Sequence, residues 1–327
     1  MSIALDVLQQ NDTWNIIDSS KLSCFMECPR KYFFNHVLGW RSSFPNNHLV
    51  FGTAWHLAME HLMRNKYTDA SLEQAKLLFL HSYRQELPEQ FDEDFSPKTP
   101  ANAINAIDDY HQKYYKIDTN QYEVLHTEVD GIVLIGESMP ITFRLDAILF
   151  DKSREIFIDC DHKTSQRKLS SWRELFSMSP QMIIYLHVMH CLYGSESKLP
   201  PEIQIRHPFF YKSKPTEFEE SQITKSVEQM EGLINSLQIY YDSLKVNMEI
   251  LLQEDSPEDD TMQSFQQNLT SCFNYGRPCT YLNICNAWPN PLAHCGDGPP
   301  LSMKVEFWNP AEQPVREVID LTSGIGN

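Results

Sequence analysis

Two apolar runs joined by a short polar turn constrain this chain most. Ile141–Phe150 and Glu155–Cys160 read as strands, and Asp151-Lys152-Ser153-Arg154 between them reads as a hairpin turn. The second strand runs into Asp161-His162-Lys163, and Asp146 lies on the first, fifteen residues before Asp161. Asp161 and Lys163 are two apart, so in a strand they face the same side. A carboxylate there can ligate a divalent metal. The ammonium can orient an attacking water or offset charge developing on a phosphate.

The register can be set from the turn. Centred between Lys152 and Ser153, it places Asp146 opposite Asp159 and Arg144 opposite Asp161. Asp146 and Asp161 are then diagonal neighbours on one face, roughly 7–8 Å apart. Two carboxylates that close can share a cation; without one they repel, and one pKa rises. Asp159 shares that face and reads as a hydrogen-bonded strand residue, because only Asp161 has a lysine two residues on.

The rest of the chain supplies helices. Ser20 reads as the N-cap of a helix to about Cys28, Pro29 opens a second, and Gly39 stops it. Ala54, Leu57, Ala58, His61 and Leu62 recur at helical spacing. Helices are expected over 71–87, 101–117, Gln181–Leu192 after Pro180, and about 219–250. Further strands are expected at Tyr122–His126, Ile132–Ile135 and Ile203–Tyr211. Glu128, just before the hairpin, reads as a surface or turn residue within reach of the site. Helices flanking a largely hairpin-linked sheet indicate an α/β fold with a central mixed sheet. Its expected organisation is a lead-in at 1–18, a single domain at 19–290 and a Pro- and Gly-rich tail at 291–327. Within that domain, 19–118 is helical, 119–215 is the sheet core, and 216–290 is a helix with a Cys-rich closure.

Charge narrows the function. The 327 residues carry a net charge of −17, which argues against a simple basic nucleic-acid binder. Residues 19–67 hold six Lys/Arg against two acids, whereas 212–260 hold four lysines against twelve acids. Lys21, Arg30, Lys31 and Arg41 are therefore expected to lie nearer a DNA groove. No run is long enough to span a bilayer, and the N-terminus lacks a basic, then apolar, leader, so a cytoplasmic setting is expected. There the eight cysteines are not expected to form a disulfide framework, and some can be metal ligands.

Five blocks, in order, carry a resemblance. They are Ser20-Lys21-Leu22 through Cys28-Pro29-Arg30-Lys31-Tyr32-Phe33-Phe34; Phe51-Gly52-Thr53-Ala54-Trp55-His56; Phe143-Arg144-Leu145-Asp146; Ile158-Asp159-Cys160-Asp161-His162-Lys163-Thr164; and Gln181 with Tyr185. Together, from about residue 19 to 286, they resemble the RecB-like branch of the PD-(D/E)XK nucleases. That branch includes the AddB nuclease domains, CRISPR-adaptation nucleases and phage exonucleases. The resemblance implies a restriction-endonuclease-like core and a Mg²⁺- or Mn²⁺-dependent DNA nuclease, an exonuclease on single strands or ends in recombination, repair or phage replication. It implies His56, Asp146, Asp161 and the carbonyl of His162 as metal ligands, and Asp146, Asp161 and Lys163 as catalytic. Gln181 and Tyr185, an i,i+4 pair, would position DNA or the lysine. The branch commonly has an aromatic spacer where His162 stands.

It also implies a setting in a bacterial or phage-infected cell. No Walker-type G-x-x-x-x-G-K-[ST] is present, so an unwinding helicase or recombination partner would be another chain. The alternative of a different class is a non-catalytic nucleic-acid-binding or assembly subunit on a nuclease scaffold; intact Asp146, Asp161 and Lys163 count against it.

A subset of that branch holds a [4Fe–4S] cluster with one N-terminal and three C-terminal cysteines. Cys28 matches the first, and Cys272, Cys279 and Cys285 match the rest. The six residues between Cys272 and Cys279 depart from the commonest spacing of two. Zn²⁺ on the same thiolates is the chemical rival, and a metal-free site is the third reading. Cys24, one helical turn from Cys28, is the substitute ligand.

Overall fold

The computed structural model describes Asp6, Leu8 and residues 11–136, 138–196, 198–254, 261–274, 277–312 and 317–321. Asp18, two residues before the expected cap, opens α1 (Ser19–Glu27) by accepting a hydrogen bond from Lys21 N. Pro29 begins α2 (Pro29–Tyr32), which continues as a π-helical turn through Val37. Gly39, at φ +66°, turns the chain into β1 (Trp40–Ser42), and a Cβ there would meet Phe307 at 2.6 Å. Then come α3 (Asn47–Arg64), α4 (Asp69–Glu86) and α5 (Pro100–Gln121), capped by Asn46, Thr68 and Thr99.

The sheet follows. β2 (Tyr122–Ile135), β3 (Met139–Asp151) and β4 (Ile156–His162) form an antiparallel meander. After α6 (Trp172–Ser177) and α7 (Pro180–Tyr193), β5 (Glu202–Phe209) returns parallel to β4. β5 is buried along its whole length, as a strand covered on both faces should be. β6 (Glu217–Ile223) pairs antiparallel to β5, and α8 (Val227–Gln253) crosses back over the sheet. Short β7 (Phe273–Asn274) and β8 (Arg277–Pro278) form a hairpin before α9 (Leu282–Ala287). β9 (Met303–Val305) pairs with β1, and β10 (Glu317–Leu321) adds parallel to β2.

The sheet order is β10-β2-β3-β4-β5-β6. One apolar core joins the sheet to α1, α2, α7 and α8; the other joins it to α3, α4 and α5. This α/β architecture, a mixed sheet between helical layers, is the one the resemblance implies. No helix among the described residues is long and apolar enough to cross a membrane.

Two expectations change, and one element was not expected. The segments Tyr122–His126 and Ile132–Ile135 are one strand, β2, with a register shift between Val124 and His126. The long helix starts later than residue 219, because Glu217–Ile223 pairs with β5. Ser226 and Gln229 then form a capping box that fixes the helix start. The short helix α6 carries no periodic signal long enough to be read. The acidic loop at 255–260 lies outside the described residues.

Candidate active site

The turn between β3 and β4 sets the geometry. Asp151 pairs with Ile156 and Ile148 with Asp159, so four residues rather than two close the hairpin. Asp151 stabilises the longer turn by accepting from Ser153 N at 2.9 Å and Arg154 N at 3.1 Å, and Glu155 adopts φ +55°. The register moves by two and keeps every side chain on its face. Continued past the last pair, it sets Asp146 opposite Asp161, not opposite Asp159.

Asp146 is the hub. Its Oδ2 accepts from His162 N at 2.7 Å, and its Oδ1 lies 2.9 Å from His56 Nδ1. His56 reaches it from α3. Glu128 reaches the same point from β2. One ligand atom from each of His56, Glu128 and Asp146 lies within 4.8 Å of the others, a spacing a single cation can bridge. Glu128 is thus part of the site rather than a surface residue. It holds φ +52°, a costly conformation for a residue with a Cβ, which clusters at functional sites.

Lys163 lies beside this group. Its Nζ is 2.8 Å and 2.6 Å from the two oxygens of Asp161. Asp161 is 1% exposed and is not among the three converging ligands; its carboxylate holds the lysine.

Electrostatics match crowded carboxylates. Burial, with the Asp146 charge, pushes Glu128 up to about 7. Burial also opposes ionisation of Asp146, but His56 and His162 outweigh it and hold Asp146 well below the carboxylate range. Burial raises Asp161, and Lys163 only partly offsets this. Asp159, expected to be hydrogen-bonded, is fully buried with neither oxygen partnered. Burial and the nearby Asp161 and Asp146 push it well above its usual range, which favours its neutral form.

A buried polar chain supports Asp146 from behind. The Arg206 guanidinium forms a two-pronged pair with Asp118, both bonds 2.7 Å. Arg206 also donates to the Tyr110 hydroxyl at 2.8 Å, and that hydroxyl lies 2.9 Å from His162 Nε2. The hydroxyl oxygen can accept from Arg206 and still either give or take a proton at Nε2, so the imidazole sets the direction of that contact. Nδ1 lies 3.6 Å from Asp146 Oδ2, which favours a proton on Nδ1 and leaves Nε2 to accept from Tyr110. Burial depresses His162, in agreement. The spacer is therefore a buried strut whose side chain turns toward α5.

On the opposite face, Gln181 Nε2 donates to the Tyr185 hydroxyl at 3.0 Å. Burial, then the charge of Asp161, raises Tyr185, which places the pair beside the acidic group.

The cysteines form a separate centre. Cys28, Cys272, Cys279 and Cys285 line one cavity of about 110 Å³. The hairpin β7–β8 explains the long gap in the sequence. Phe273 pairs with Pro278, and Cys279 N donates to Cys272 O at 2.8 Å, so the hairpin returns the two cysteines side by side. Asn268 N donates to Cys28 Sγ at 3.3 Å, and Arg30 Nε donates to Phe265 O at 2.8 Å. Cys24 does not line the cavity; burial keeps its thiol protonated up to about 12.

These contacts overturn the expected DNA path. Lys21 is buried with Nζ on Thr13 O, and Arg30 is 3% exposed. Lys31 pairs with Glu27, and Arg41 Nε donates to Glu306 O. Of these, Arg30 and Arg41 tie the N-terminal part to the C-terminal segment.

Neither Glu128 nor the Tyr110–Arg206–Asp118 chain was identified from sequence. For Glu128 the available signal was its position before an acid-bearing hairpin. For Arg206 it was a charge inside an otherwise apolar strand.

The sequence profile of the PD-(D/E)XK nuclease superfamily matches residues 19–286, which include all these residues except those of the tail. No curated protein matches the chain. Among solved structures, the crystal structure of a candidate exonuclease from Eubacterium rectale is 13% identical. It has a TM-score of 0.42, with 83% of this chain and 93% of that chain covered. On the profile match, across most of its length, this chain belongs to the PD-(D/E)XK nuclease superfamily.

Proposed function

We propose that this protein is a divalent-metal-dependent deoxyribonuclease, an exonuclease that works on single strands or DNA ends. The observation that carries the reading is the convergence of His56, Glu128 and Asp146 beside the Asp161–Lys163 pair. These three fit a hard, oxygen-preferring cation such as Mg²⁺ or Mn²⁺. Asp161 and the carbonyl of His162 are the proposed further ligands. Such an ion, when bound, polarises a phosphate and makes water a better nucleophile.

The chain's own groups do the rest. Lys163, fixed by Asp161, would hold the attacking water or offset charge on the phosphate oxygens. Gln181 and Tyr185 would position the strand or the lysine. His162 and Tyr110 keep Asp146 oriented. The intact pair of Asp161 and Lys163 weighs against a purely assembly role.

The cysteine centre is proposed to hold a [4Fe–4S] cluster that ties the N-terminal helices to the C-terminal segment. Four thiols around one cavity fit a thiolate-bound metal centre. Zn²⁺ on the same four thiolates is the rival.

The experiment is cleavage of end-labelled linear and closed circular single-stranded DNA with Mn²⁺. The exonuclease reading predicts shortening of the linear strand and an intact circle. Cleavage of both equally would make it an endonuclease, and cleavage of neither would defeat the nuclease reading.

A further inference from the structure

Beside the metal site lies a groove of about 670 Å³. Its floor is the first half of β2, whose outer edge is covered by β10 only over Val129–Val133. Among the described residues, the edge over Tyr122–Glu128 therefore has no strand beside it. The wall is the last turn of α3 and the loop after it.

Three features distinguish this groove. In a chain of net charge −17, Arg64, Lys66 and Lys152 all line it, with His126 between them. Its two acids differ: Asp118 is tied to Arg206, and Glu123 is exposed. The groove also adjoins the metal site through Thr127, which lines it and precedes Glu128. His56, Glu60 and Arg64 follow one another at i,i+4 on α3, and Arg64 Nε donates to Thr127 Oγ1 at 3.2 Å, the residue before Glu128. Finally, the wall is preorganised. Lys66 and Tyr67 both hold positive φ, +54° and +56°. Tyr67 is fastened by its hydroxyl to Asp118 and by its carbonyl to His111 Nε2 at 2.7 Å. Such strain persists only where surrounding structure enforces it.

We propose that this groove binds the single-stranded stretch of DNA adjoining the phosphate at His56, Glu128 and Asp146, with Lys66 and Lys152 on its backbone phosphates. The volume is that of a small-ligand cleft and so takes one or a few nucleotides, not a duplex. A cationic groove that tracks a phosphate backbone suits a single strand. This rests on the nuclease reading for what enters the groove, not for the groove's chemistry.

The test is fluorescence-anisotropy binding of a labelled single-stranded oligonucleotide in the cleavage-deficient Asp161→Ala background. Lys66→Glu with Lys152→Glu should weaken binding by about tenfold and reduce the log–log salt slope by about 1.4, two phosphate contacts at ~0.7 each. Lys66→Arg with Lys152→Arg should restore both. Lys245→Glu, on exposed α8, should change neither. Unchanged affinity and slope on reversal would overturn the proposal, and would instead fit a peptide strand adding to the open β2 edge. Lost affinity with an unchanged slope would overturn it too, since no phosphate contact was removed. Failure of the nuclease reading looks different: wild-type protein that binds the oligonucleotide with the predicted Lys66 and Lys152 dependence but never cleaves it.

Discussion

The Tyr110 hydroxyl meets His162 Nε2 at 2.9 Å, across 52 residues of sequence, and so fixes the residue between Asp161 and Lys163. Arg206 donates to the same hydroxyl at 2.8 Å and holds it in place. The chain ends on Asp146, through His162 N at 2.7 Å. Asp146, a proposed metal ligand, is thereby held by a buried ion pair between Arg206 and Asp118, on a strand and a helix that carry none of the proposed ligands.

Tyr110→Phe keeps the ring packed against Tyr114 and Trp55 but removes the hydroxyl. Mn²⁺ affinity, measured by calorimetry, should fall about tenfold, the usual effect of losing an outer support. Unchanged affinity would show that Asp146 needs no such strut.

Glu128→Gln tests the ligand set with a side chain of nearly the same shape. Losing the carboxylate should weaken Mn²⁺ binding and cleavage together. Asp159→Asn should leave both nearly unchanged, because burial and its acidic neighbours favour the neutral form of Asp159. Equal losses in the two variants would remove the distinction between them.

Acid stability follows from buried histidines. Burial depresses His36 to about 2 and His207 to about 3. His207 has neither ring nitrogen hydrogen-bonded and stacks on Phe209 at 4.1 Å. Below pH ~6.5 the unfolded chain takes up a proton there and the folded one does not, so stability falls as pH drops. The window runs from about 6.5 down to 3, with a slope of at most about 1.4 kcal/mol per pH unit for each group. His207→Phe should therefore lose less stability than wild type between pH 7 and 5, in urea unfolding. An identical loss would show that His207 is protonated in the folded state.

The cysteine centre predicts colour. Protein purified without oxygen should be brown, and serine at Cys28, Cys272, Cys279 or Cys285 should bleach it and lower solubility. Cys24→Ser should not bleach it, because Cys24 does not line the cavity. Stoichiometric zinc in colourless protein would favour the rival ion.

Much of this was legible because local chemistry dictates it. Pro29, Pro100 and Pro180 sit at helix starts, where a missing N–H costs nothing. The β3–β4 hairpin was visible as two apolar runs. Its register was not, because Asp151 stabilises a turn two residues longer than the apolar pattern requires. β6 was hidden because Glu217–Ile223 is a polar edge strand whose glutamates pair with Lys168 and Arg173. The roles of Lys21 and Arg30 were misjudged because charge counted along a sequence does not say which cations are buried. Glu128 escaped because its placement depends on a positive φ that no motif encodes.

The most direct measurement is Mn²⁺-dependent cleavage of a linear single strand by purified Asp161→Ala beside wild type, with thermal unfolding of both. The account predicts that wild type shortens the strand, and that the variant folds as well but leaves the strand intact. Lys163→Ala should behave the same way while still binding Mn²⁺. A well-folded Asp161→Ala protein that cleaves as fast as wild type would contradict the assignment of Asp161 and Lys163 as the catalytic pair.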